Sequence, residues 1–263
     1  MPLPERSIVV APQTEAALPQ LVALAEPLAR SEPPRELILA RLVEPPRGAA
    51  VRGGLQTEQF LLSRVGSDLR RMRTRLLERQ VAARAVAFTS SDVGADLTRL
   101  TAGEEVDLLL VDGRRPLLGE GVPRGGVGTV LEQAPCDVAV LVAREDAVVA
   151  PGPEGPVIVP FGGVEHDWAA LELAAWIAST VGAPLKLLGS AGQTEDGRDA
   201  SRLLANASLL VQRLVGVDAE PVITPPGREG IVHAAGEGGL LVIGLSDRWR
   251  QEGLGETLSL IHI

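Results

Sequence analysis

Ser7–Pro12 reads SIVVAP, and Pro156–Phe161 reads PVIVPF. Each is a short apolar run, followed in both halves by a helix-period pattern, a second apolar run and more helix. Each half then reaches a run that ends in glycine, Val106–Gly113 (VDLLLVDG) and Gly239–Gly244 (GLLVIG). Apolar runs alternating with amphipathic helices are the sequence form of βαβ units, in which helices cover both faces of a parallel sheet. The chain therefore reads as α/β, with two tandem doubly wound parallel-sheet domains of Rossmann-like design.

The first half divides into strands at Ile8–Ala11, Glu36–Val43, Ala83–Phe88, Val106–Val111 and Asp137–Val142. Its helices are expected at Ala16–Arg30, Thr57–Gln80 and Asp92–Leu100, with a last one ending at Val130–Gln133. Pro33-Pro34 closes the first, because the residue before a proline avoids helical geometry. In the long second helix, Phe60, Leu61, Val65, Leu69, Met72, Leu76 and Leu77 form the apolar stripe, with arginines opposite. Glu44–Leu55, rich in Pro, Gly and Arg, reads as loop, and so do the glycines from Gly113 to Gly128. The first domain spans 1–144, a Pro/Gly linker 145–156, and the second domain 157–257. In that second domain strands are expected at Val157–Pro160, Pro184–Leu188, Glu220–Ile223 and Gly239–Ile243, and helices at Asp167–Val181, Asp199–Val215 and Glu229–Ala235. The helix and fifth strand that would match the first half are missing, so the second domain reads as truncated. Leu258–Ile263 (LSLIHI) is also the translation of CTGTCTCTTATACACATC, a transposon end used in sequencing libraries. Residues 258–263 are thus expected to be non-native and the native chain to continue beyond Thr257.

Composition excludes several classes of function. Over 263 residues, 45% hydrophobic and 22% charged content is globular. No stretch approaches the roughly 18 apolar residues of a membrane span. A net charge of −9, with no basic stripe studded with aromatics, argues against nucleic acid. The single Cys136 excludes a disulfide framework and fits a reducing cytoplasm. It lacks a neighbouring His or Lys to make a thiolate. In Glu165-His166-Asp167, adjacent side chains at a helix start cannot all face one way, so Asp167 is expected as an N-cap and no metal site is assigned. No Ser-His-Asp spacing or paired acids emerge, and no catalytic residue is named: the chain is not expected to be an enzyme.

Val130–Val142 (VLEQAPCDVAVLV), with LLLVDG before it, resembles the universal stress protein family once per half. Val43–Arg47 (VEPPR) and Gly244–Gly255 (GLSDRWRQEGLG) resemble more closely the C-terminal cytosolic tails of bacterial monovalent cation:proton antiporters, which carry degenerate domains of this kind. The resemblance implies a cytoplasmic regulatory domain, dimeric, attached in the native polypeptide to a membrane transporter domain. It also implies a degenerate nucleotide site and no certain cofactor, with ATP or another nucleotide as the ligand to consider. The alternative is a free-standing tandem stress protein that binds ATP. Family members that bind nucleotides use a Gly-x2-Gly-x9-Gly-Ser/Thr loop whose backbone N–H groups approach phosphates. Here Gly113 opens that pattern, Pro116 replaces the second glycine, Gly126 is followed by Val127, and Gly128-Thr129 comes two residues late. Pro12-Gln13 stands where the family places an adenine-reading aspartate. In the second half the candidate ligand loops are Gly162-Gly163 and Gly244 with Ser246, where Asp247 would repel a phosphate unless Arg248 or Arg250 intervened. The arginines of Thr57–Gln80 read either as a solvated helix face or as a contact for anionic lipid or transporter loops.

Overall fold

The computed structural model describes residues 4–45, 51–113, 125–143, 152–190, 200–225, 230, 233, 234, 236, 239–246 and 249, with residues 51–54 in backbone only. The chain divides into two compact units, one holding the described residues 4–143 and the other those from 152 onward.

The first unit runs β1 (Arg6–Ala11), α1 (Ala17–Arg30), β2 (Arg35–Val43), α2 (Val51–Glu78), β3 (Ala83–Thr89), α3 (Val93–Ala102), β4 (Val106–Asp112), α4 (Gly125–Gln133) and β5 (Asp137–Leu141). Its strands pair in parallel in the order β3-β2-β1-β4-β5. The central strands are uninterrupted apolar runs because both faces are covered: Ile8, Val9, Val10, Leu37, Ile38, Leu39 and Leu109 are all fully buried. Helix α1 packs on β1, β2 and β4, and α2 on β2 and β3, while α3 packs on β4 and against α4. Right-handed crossovers carry the chain from β1 outward through β3 and then back across β1 to β4. The strand order therefore reverses between β1 and β4, which opens a crevice at their carboxyl ends.

The second unit repeats the scheme with β6 (Val157–Pro160), α5 (Glu165–Val181), β7 (Leu185–Ser190), α6 (Ala200–Val215), β8 (Ala219–Thr224) and β9 (Leu240–Leu241). Among the described residues its sheet has four parallel strands in the order β8-β7-β6-β9. No described helix in either unit is long and apolar enough to cross a membrane.

Several sequence expectations are corrected. Helix α2 begins at Val51, inside the stretch expected to be loop, and runs through Gly53-Gly54. Each glycine there costs about 1 kcal/mol of helix propensity, but extension from a formed helix is far easier than nucleation. Phe60 is 68% exposed and Leu77 is 40% exposed, so the buried stripe narrows to Val65, Leu69 and Leu76. Gly126, Gly128 and Thr129 are helical residues of α4 and not part of a loop. Helix α5 starts at Glu165, with Val164 at its N-cap, which places Asp167 one turn inside. Strand β9 pairs over only Leu240–Leu241, although Val242 adds a backbone N–H bond to the Ile158 carbonyl at 2.9 Å. Of the helix expected at Glu229–Ala235, Gly230, His233 and Ala234 are helical and the rest lies outside the described residues. Pro116, residues 145–151, Asp247, Arg248, Arg250 and 258–263 lie outside them as well.

Candidate functional site

In the first unit the crevice between β1 and β4 is bounded by Pro12-Gln13-Thr14 and Asp112-Gly113. Asp112 is buried, and its carboxylate accepts the Gln13 backbone N–H on one oxygen and the Thr14 hydroxyl, at 3.4 Å, on the other. The Gln13 side-chain amide donates to the Asp112 carbonyl. The Gly113 N–H donates to the Leu141 carbonyl at 2.8 Å, extending the β4–β5 ladder by one bond. Among the described residues at this crevice, the Gln13 and Gly113 amides are thus already bonded within the protein. The sequence offered no sign of this arrangement, because Asp112 sits at the end of an apolar run and reads as the close of a strand.

Gly126 and Thr129 meet α3. A Cβ placed on Gly94 would lie 2.5 Å from Thr129 Cβ and 3.0 Å from Gly126 Cα, so the two helices cross at backbone contact. The Thr129 hydroxyl donates to the Gly125 carbonyl of its own helix at 3.3 Å. Gly128 is buried in the same turn. The residues that read as a phosphate loop in sequence therefore form a helix–helix contact here.

In the second unit Gly162, Gly163 and Gly244 do gather around the first turn of α5. The Asp167 carboxylate reaches back and accepts the N–H groups of Gly162 (2.8 Å) and Val164 (3.3 Å). A carboxylate in the first turn is also favoured by the helix dipole. Gly244 presses on the same turn: a Cβ there would lie 1.9 Å from the His166 carbonyl oxygen. Gly163 adopts φ +84°, open to glycine at little cost, and a Cβ would touch Leu203 of α6 at 3.0 Å. The Ser246 carbonyl accepts the Trp249 N–H at 2.9 Å. The Gly162 and Val164 amides of this turn are therefore already bonded to an internal carboxylate.

The remaining reactive side chains are dispersed. His166 Nε2 lies 3.8 Å from Asp167 Oδ1. Among the described residues no three His, Cys, Asp or Glu side chains gather as a metal site. Burial, and then the charge of Asp137, push the Cys136 thiol upward, away from thiolate chemistry. The arginines of α2 and of the turn after it bond within the first unit: Arg64 to Glu15 (2.8 Å), Arg71 to Asp68 (3.4 Å), Arg79 to Glu26 (3.0 Å) and Arg73 to the Ala83 carbonyl (2.9 Å).

One further feature escaped sequence reading. Arg41 lies within β2, in a stretch read as buried strand, and its guanidinium Nη1 donates to the Pro12 carbonyl. It borders a cavity of about 200 Å³ between α1 and α2. The only sequence signal was a cation interrupting the apolar run ELILARLV.

No protein-family model matches the chain, and no curated protein matches it. Among solved structures, a universal stress protein from Archaeoglobus fulgidus matches with a TM-score of 0.60 and 13% identity, over 88% of this chain and 83% of that one. A second, from Pseudomonas aeruginosa and assigned to the same group, matches with a TM-score of 0.51 and 16% identity, over 98% of this chain and 88% of the other. With the parallel strand order and the crevice at β1 and β4, these likenesses establish the architecture: the chain has the α/β fold of the universal stress proteins.

Proposed function

We propose that this chain is a non-catalytic regulatory segment of a membrane cation:proton antiporter, built from two units of the stress-protein fold and acting as a homodimer in the cytoplasm. The observation that carries the non-catalytic reading is the internal bonding of turn amides to carboxylates in both units. Asp112 takes one backbone N–H and a hydroxyl, Asp167 takes two backbone N–H groups, and a carboxylate at the end of the first or fourth strand repels a phosphate brought beside it. Attachment to a transporter is supported by the sequence likeness of Val43–Arg47 and Gly244–Gly255 to antiporter tails. On this reading a cytosolic signal shifts the transporter by binding one of its states more tightly than the other.

Two measurements test it. Calorimetric titration of the 263-residue chain with ATP and magnesium is expected to show no saturable binding tighter than about 1 mM. Stoichiometric binding tighter than that would favour a free-standing ATP-binding protein. Sequencing the source DNA upstream of Met1 is expected to reveal a continuous frame encoding apolar spans of about 20 residues each. A stop codon followed by a ribosome site at that position would remove the transporter reading.

A further inference from the structure

The cavity beside Arg41 lies in the first unit between the start of α1 and the middle of α2. Five charged side chains line it: Glu15, Arg41, Asp68, Arg71 and Arg75. Three of them have partners. Glu15 pairs with Arg64 at 2.8 Å, and Asp68 with Arg71 at 3.4 Å. Neither Arg41 nor Arg75 has a carboxylate within 4.0 Å among the described residues. Arg41 is half-buried, and its Nε is buried without a hydrogen-bond partner. Burial lowers its pKa, opposed by the more distant charges of Asp112 and Glu15. An arginine nevertheless stays protonated under all physiological conditions. A desolvated cation is stable only with a counter-charge or full hydrogen bonding, and the protein supplies one acceptor, the Pro12 carbonyl.

We propose that this cavity binds a small phosphate monoester, its dianion held between the guanidinium groups of Arg41 and Arg75 and its ester group resting on Leu18, Leu69 and Met72. Arg41, with a buried unpartnered Nε, calls for an anion, the exposed Arg75 on the same rim supplies a second guanidinium, and guanidinium forks suit phosphate oxygens better than a point charge does. Apolar walls lower the local dielectric and strengthen the attraction. The volume falls below the roughly 300–1,000 Å³ of drug-sized sites, which limits the ligand to a few heavy atoms and excludes a nucleotide. The cavity shares Pro12 and Thr14 with the rim of the β1–β4 crevice but opens between α1 and α2, and it does not depend on attachment to a transporter.

The test is titration of the 263-residue chain with inorganic phosphate and glycerol 3-phosphate, followed by calorimetry and by thermal melting. Saturable one-to-one binding and a rise in Tm are expected with glycerol 3-phosphate, tighter than with inorganic phosphate. Arg75→Ala, at an exposed position that leaves the fold intact, and Arg41→Met are each expected to weaken binding at least about tenfold. Arg99→Ala, on α3, is expected to leave binding unchanged. Absence of saturable binding overturns the proposal. Equal Tm shifts from sodium chloride at matched ionic strength overturn it too, as does binding indifferent to Arg75→Ala.

Discussion

Single carboxylates perform different work here depending on what donates to them. Asp96 accepts the Ser90 hydroxyl and an Arg99 guanidinium, and these hold its carboxyl below the usual value of 3.8. A folded-state pKa below the unfolded one adds stability that is present above the unfolded value and is lost as pH falls through the folded value. Asp96→Asn is therefore expected to lower the urea midpoint at pH 7 and to converge with the native chain as the pH falls below the lowered folded-state value of Asp96. A difference that stays constant across that range would mean the charge is not responsible. Asp167 joins the turn after β6 to α5 through two N–H groups. Asp167→Ala is expected to destabilise the second unit by roughly 1–2 kcal/mol, measured by chemical denaturation. Sequence reading placed Asp167 at the helix start, but it put the residue at the cap. The helix begins two residues earlier because the Val164 backbone takes the cap position and frees the carboxylate to reach Gly162.

At the scale of elements, glycines explain why the candidate loops were misread. A glycine that exposes its N–H to a phosphate and one that admits a neighbouring helix look identical in sequence, since both require only a missing Cβ. Gly94, Gly126 and Thr129 belong to the second kind, at the α3–α4 crossing. Gly94→Ala is expected to cost about 1–3 kcal/mol by overpacking against Thr129, read as a lower denaturation midpoint. If the midpoint rises instead, as helix propensity alone would predict, the close crossing is wrong. The strands were legible almost to the residue, because a parallel sheet covered on both faces demands continuous apolar runs. The start of α2 was not legible. Pro, Gly and Arg in 44–55 match loop composition, yet the helix from Thr57 onward extends back over Val51–Gln56. Its outer residues, Phe60 among them, matched the apolar period without finding a surface to cover.

For the whole molecule, two sheets of five and four strands close separate cores, so unfolding is expected to depart from two-state behaviour. Differential scanning calorimetry should give a calorimetric enthalpy larger than the van't Hoff value. A ratio of one would show that the units melt as one cooperative body. The sequence by itself determined the class of fold, the repetition of the module and most strand positions. Those depend on hydrophobic period and turn chemistry, which act over a few residues. Only the tertiary structure decided which glycines carry helix contacts, which carboxylates take the turn amides, and that Arg41 stands beside a cavity with no carboxylate in ion-pair contact. Each of these depends on residues far apart in the chain, Asp112 with Gln13 or Gly94 with Thr129, and a local pattern carries no record of such distances.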